Sequence, residues 1–178
     1  GPSARCMTCH QGRESTFSVN KAVAGHDEDK ADPKLEFINV HYRAAGATLM
    51  GALAKGGYEY EGKSYASRRR HPEPFNKCTG CHELHSVAPR VEACASCHDG
   101  VTDAKSLAAI RKSKDDFDGN GNVTEGIAQE VDHLHARLLA AIQAYARSVA
   151  GKPIAYDGKA FPYFFNDGNG NGVVDQDE

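Results

Sequence analysis

All six cysteines of this chain fall into one pattern. They stand as three pairs, each followed at once by histidine: Cys6-Met7-Thr8-Cys9-His10, Cys78-Thr79-Gly80-Cys81-His82 and Cys94-Ala95-Ser96-Cys97-His98. Two thiols one helical turn apart can bond both vinyl groups of a haem, and the adjacent imidazole then stands beneath the iron. Two other readings compete. Cys78, Cys81, Cys94 and Cys97 form two Cys-x-x-Cys knuckles that could close a tetrahedral zinc site, but this strands Cys6 and Cys9 and leaves three histidines without a reason. A disulfide framework needs no histidine after each pair. The sequence therefore predicts three covalent haems c on these cysteines, with His10, His82 and His98 as proximal ligands.

Composition agrees that aliphatic packing is not the main support. The chain has 178 residues, enough for one domain, yet it contains no Trp and spreads eighteen Gly and seven Pro along its length. A formal charge of -3 gives no electrostatic case for nucleic acid as a partner. No apolar run reaches the length of a membrane span. No signal peptide is visible, and Gly1-Pro2 reads equally as a mature end or as another boundary.

Three irons need three distal ligands. Met7 lies inside a motif and only Met50 is free, so bis-histidine ligation and low potentials are expected. His41 lies in the apolar stretch from Phe37 to Tyr42, where a bare imidazole would be costly to bury. His71 follows Arg68-Arg69-Arg70, whose guanidinium groups suit haem propionates. His85 is too close to His82 to reach the far face of the same haem but can serve a neighbour. These three are the distal candidates. His26 reads as part of a polar loop. On the helical wheel of the long C-terminal segment, His135 borders the apolar stripe and His133 faces solvent.

The expected fold class is mainly α with extensive irregular loop: a small haem-cored protein with one long C-terminal helix. Residues 1–101 form the haem-binding region and 102–178 a helical region packed on it as one domain. Within the first, a short helix is predicted over Ala44–Lys55, a hairpin over Tyr58–Tyr65, and a close pairing of the second and third haems, whose motifs begin at residues 78 and 94. Within the second, a short helix is predicted over Asp103–Lys112 and a long one over Thr124–Ala150. Ile127, Val131, Leu134, Leu138, Ile142, Tyr145 and Val149 form one stripe on the long helix, expected to bury against the haem region. The aromatic cluster Phe161-Pro162-Tyr163-Phe164-Phe165 is expected to pack on haem edges or core.

Two segments match calcium loops. From Asp167 to Glu178 the EF-hand pattern is complete: Asp167, Asn169, Asn171 and Asp175 at the side-chain ligand places, Val173 offering its carbonyl, Gly172 at the turn and Glu178 closing. The earlier loop has Asp116, Asp118, Asn120, Gly121 and Asn122 in place, then Ile127 where glutamate is wanted. Glu125 or Glu130 could supply that carboxylate. Both loops are rich in Asn, which suits weak, structural calcium sites, one or two in number.

On residues 6–10, 78–82 and 94–98 the chain resembles the multihaem c-type cytochromes. That resemblance implies export, haem attachment in the periplasm or at the cell surface, and electron transfer to redox partner proteins or an extracellular acceptor, with no catalytic residue in the chain. Resemblance to cytochromes that polymerise into extracellular filaments implies a homopolymer whose haem chain crosses subunits, although nothing in the spacing shows polymerisation. Two further classes stay open: a nitrite or hydroxylamine type of multihaem reductase with one open iron, and a calcium-stabilised surface interaction module.

Overall fold

A computed structural model of the chain describes residues 1–41, 44–68 and 70–175. The chain divides into two compact units: Gly1–His26 with Pro33–Ala93, and Asp27–Asp32 with Cys94–Glu178. The division falls just before Cys94, whereas the sequence reading draws its boundary after residue 101. The first two motifs thus lie in one unit and the cysteines of the third in the other.

In the first unit, α1 (Ala4–His10) carries the whole first motif, α2 (Thr16–Val23) follows it, α3 (Ala45–Met50) comes next, and α4 (Cys78–Cys81) is the single turn of the second motif. Helix α5 (Val91–Ala95) leads into the third motif. The predicted helix over Ala44–Lys55 stops early because Gly51, at φ 55°, turns the chain out of the helix while its N–H still donates to the Ala47 carbonyl. α3 packs on α1 so closely that a Cβ on Gly46 would stand 2.5 Å from Met7 Sδ and 2.7 Å from the His10 carbonyl. Gly46 is therefore a packing requirement. Among the described residues 58–65 form no paired strands; a turn closes there with the Tyr60 N–H donating to Tyr65 Oη at 2.9 Å.

In the second unit a 3₁₀ turn (Ser106–Ala109) replaces the helix expected over Asp103–Lys112. Ser106 explains the tightness: its Oγ accepts from the N–H groups of Thr102 and Asp103, and its own N–H donates to Asp103 Oδ1. The long helix α6 runs over Ile127–Ser148, 22 residues or about 33 Å. It is followed by an antiparallel pair, β1 (Ile154–Tyr156) and β2 (Phe164–Asn166), with Ala155 opposite Phe165. Part of the aromatic cluster thus became a strand, and Tyr156 meets Phe164 at a ring separation of 5.0 Å.

The stripe on α6 is not buried by polypeptide. Val131, Leu134, Leu138, Ile142, Tyr145 and Val149 are all exposed, Leu138 by 59%. A stripe reports amphipathicity and not the identity of what covers it. The polypeptide buries little apolar side chain of its own: among the described residues the buried apolar ones are Ala47, Val101, Ala146 and Ala155, three of them alanine. The chain exposes 13301 Å². Two separate compact units of half its mass would together expose about 10,000 Å² by the scaling of folded monomers.

Candidate haem and cation sites

The second and third motifs close in the same way. His82 N–H donates to the Cys78 carbonyl and His98 N–H to the Cys94 carbonyl, each at 2.9 Å. One helical turn brings the paired cysteines to one side, as residues three apart on a helix must be. The whole of the first motif is helical. None of the six cysteines is in a disulfide. Gly80 makes the second turn possible, because a Cβ there would lie 2.3 Å from the Pro74 carbonyl oxygen.

His82 shows the arrangement expected of a metal ligand. Its Nδ1 lies 2.8 Å from the Val87 carbonyl oxygen. A carbonyl only accepts, so Nδ1 carries the proton and Nε2 keeps the lone pair that an iron needs. Val87 holds that carbonyl in place from a left-handed conformation, φ 55°, which a β-branched residue rarely adopts. The intervening loop is fixed by Glu83, whose Oε2 accepts from the N–H groups of His85 at 2.7 Å and Ser86 at 3.3 Å. Those two bonds hold the Glu83 carboxyl below its ordinary range. Sequence reading had no means of finding Val87, because its contribution is a backbone carbonyl.

The distal candidates are placed differently from one another. His41 has a left-handed backbone, φ 75°, and its N–H donates to Asn39 Oδ1 at 2.8 Å. Residues near it in sequence line two open clefts of about 610 and 440 Å³, Phe37, Ile38 and Asn39 the first and Val40 and Ala44 the second. The Val40 carbonyl accepts from Arg13 N–H at 3.0 Å, so this segment runs beside the exit of the first motif. His71 and His85 are exposed. Arg68 donates through Nη2 to the Asn76 carbonyl at 2.7 Å, and its buried Nε has no partner among the described residues. An orphaned guanidinium nitrogen just ahead of a haem motif fits a carboxylate such as a propionate. Together with the thiol spacing and the His82 tautomer, it shows that these residues suit haem c. Arg69 lies outside the described residues.

Both calcium-loop candidates have the same backbone cradle. Asp116 accepts from the N–H groups of Gly119, Asn120 and Gly121, and Asp167 from those of Gly170, Asn171 and Gly172. Positive φ at Gly119, Gly121, Gly170 and Gly172 permits the tight path. In the second loop, Asn169 Nδ2 and Asn171 Nδ2 both donate to Asp175 Oδ2, at 2.6 and 3.0 Å, and Val173 N–H donates to Asn171 Oδ1. Glu178 lies outside the described residues. In the first loop, Asn122 Oδ1 accepts from Thr124, while Asn120 Nδ2 reaches Asp118 Oδ2 at 2.9 Å and Glu125 Oε1 at 2.6 Å.

Two residues of α6 join the first loop. Glu130, 1% exposed, accepts through Oε2 from the N–H groups of Phe117 and Asp118 and pairs through Oε1 with Arg111. Arg111 also donates to the carbonyls of Ser113, Asp115 and Glu125. His133, read from the sequence as solvent-facing, is half exposed but places Nδ1 2.6 Å from Asp118 Oδ2 and 3.7 Å from Glu125 Oε2. Its hydrogen bond to Asp118 raises its pKa above the ordinary histidine value against the effect of burial, with further help from the Glu125 charge. Burial pushes Asp118 up, yet hydrogen bonds from His133 and the Asn120 N–H leave it below the usual carboxylate range. Ligand atoms of Asp118, Glu125 and His133 lie within 4.8 Å of one another, as do those of Asp116, Asp118 and Glu130. The sequence had already offered Glu130 as a carboxylate for this loop, whereas the wheel missed His133 because it treats every polar position off the stripe as solvated.

The motifs and their local geometry define a multihaem c-type cytochrome, and the homologues agree. The chain is 32% identical over 188 aligned positions to the C-type polyheme cytochrome OmcB of Geobacter sulfurreducens, in strains DL-1/KN400 and PCA, and 29% identical over 188 to the C-type polyheme cytochrome OmcC of the PCA strain. Each alignment covers 97% of this chain, which spans only 22–23% of the length of these relatives. No family model matches the chain, and no solved structure matches it. Among the described residues no helix is long and apolar enough to cross a membrane.

Proposed function

We propose that this chain is an electron-transfer segment carrying three bis-histidine haems c, and that it works outside the cytoplasm. The observation that carries the reading is the second motif: two thiols on one turn, followed by an imidazole whose Nδ1 is held by Val87 so that Nε2 is left for iron. Bound haem supplies the one-electron redox couple; the chain binds it, orients its ligand and limits water around it. His10 and His98 take the same proximal role. His41, His71 and His85 are the distal ligands, and Arg68 pairs with a propionate. The porphyrins supply apolar surface beyond what Ala47, Val101, Ala146 and Ala155, the buried apolar residues among those described, can give.

In this reading the two Asn-rich loops hold calcium as braces. Asp116, Asp118, Asn120, Asn122 and Glu125 form one site, and Asp167, Asn169, Asn171, Val173, Asp175 and Glu178 the other. The Asn amides donate to the same carboxylates that would face the ion, and an amide turned over presents its oxygen instead. The electron partners are other haem segments of a longer protein, redox proteins or an extracellular acceptor.

Intact mass of the exported protein should exceed the polypeptide by three haems, and the reduced visible spectrum should be low-spin and unchanged by carbon monoxide. Fewer than three attached haems would refute the count. Carbon monoxide binding would reveal an open iron and favour reductase chemistry.

A further inference from the structure

The two attachment sites of the first unit, far apart in sequence, are joined by a hydrogen bond between the starts of their helices. Ser3 stands at the N-terminal end of α1, where a serine ordinarily caps its own helix, yet it makes no side-chain bond to α1. Its Oγ instead accepts from the backbone N–H of Cys78 at 3.1 Å. That N–H is an orphan donor at the start of α4, and Lys77, which precedes it, provides no side-chain cap. A residue of the first motif's helix therefore caps the second motif's helix.

We propose that the haems on Cys6/Cys9 and Cys78/Cys81 are a closely coupled pair and exchange electrons directly. The proposal rests on the reading of both motifs as haem sites. Cys6 follows Ser3 by one helical turn, so the chain geometry holds the first cysteines of the two motifs within roughly 12 Å of each other. The arrangement is fixed from a second side: α3 packs on Met7 and the His10 carbonyl through Gly46 and so limits how far α1 can swing. Proximity in sequence had suggested a different pair, the second and third motifs. The segment that leads into the third motif also touches the second, since Arg90 N–H, just ahead of α5, donates to the Cys81 carbonyl at 2.8 Å; the Ser3–Cys78 bond brings the first motif to the same turn. The exchange moves one electron from the ferrous to the ferric centre of the pair, and no bond forms or breaks.

The test uses the reduced holoprotein, in which low-spin haems are diamagnetic. Proton Overhauser contacts are expected between substituents of the first and second haems in the intact protein, and again in a Cys94→Ala/Cys97→Ala variant that lacks the third. A bisignate Soret circular dichroism band should persist in that variant and vanish in Cys6→Ala/Cys9→Ala. Contacts that join the second haem only to the third overturn the proposal. So does a Soret couplet that survives loss of the first haem and disappears with the third. The Overhauser measurement on the intact protein needs no variant to fold. A polypeptide mass without attached haem would instead overturn the underlying reading, and it is measured before either spectrum.

Discussion

Replacing Arg111 by methionine isolates the tie that holds the first cation loop to α6. Glu130 and Arg111 have side chains only 1% and 8% exposed, so neither charge is solvated well by water. Removing one partner of such a pair leaves the other charge buried and uncompensated, which costs about 3–5 kcal/mol. Two N–H donors, from Phe117 and Asp118, still serve Glu130 and moderate the loss. Three carbonyls, of Ser113, Asp115 and Glu125, lose a donor and add to it. We therefore expect the lower half of that range, about 3–4 kcal/mol, a large fraction of a normal folding free energy. Urea unfolding of the holoprotein, followed by amide circular dichroism, should show the midpoint falling at unchanged slope. The double variant Arg111→Met/Glu130→Leu removes both charges and should recover at least half of the loss. A single variant within about 0.5 kcal/mol of the parent would show that the pair is solvated and would refute the argument.

Three further outcomes are expected. Val87→Gly should leave haem attachment intact and raise stability by about 1 kcal/mol by relieving the left-handed strain, provided the carbonyl stays on His82; a loss of that size in a urea melt would count against strain. Gly46→Ala should destabilise by about 1–3 kcal/mol, since the new methyl meets the His10 carbonyl, and a melt equal to the parent's would show that α3 does not press on α1. For calcium-free protein, the raised His133 pKa means that its contribution is present below the unfolded value near 6.5 and is lost as pH rises through the folded value. The lowered Asp118 acts oppositely, its contribution disappearing as pH falls through a folded value below 3.8. A histidine titration followed by NMR that placed His133 below the free value would contradict the first statement.

The sequence carried some of this directly. The period of α6 was plain, and its ends at Ile127 and Ser148 fall inside the expected Thr124–Ala150. The haem turns were readable because their chemistry fixes residue types and spacing. Other features left no such trace. Helices α1 and α2, of seven and eight residues, are too short for a period to show. The strands β1 and β2 have three residues each. Arg111 and Glu130 meet through a loop whose closure neither residue announces. Tyr145 is a member of the apolar stripe, yet its hydroxyl hydrogen-bonds the Glu28 carbonyl at 3.2 Å and the Asp29 side chain. A wheel shows only that its ring is apolar.

The small core described above also bears on how such a chain can diverge. Among the described residues the apolar ones buried by polypeptide are Ala47, Val101, Ala146 and Ala155, so few positions pack aliphatic side chain on aliphatic side chain. Substitutions away from the haem faces then fall on surface and are nearly neutral for folding. The exacting positions are those that shape a turn or a donor: Gly46, Gly80, the paired cysteines and Ser3. A polypeptide of this kind can drift widely in sequence while the spacing of its redox centres stays fixed, so a mutational scan of the holoprotein should find its intolerant sites clustered at backbone junctions and not in a hydrophobic interior.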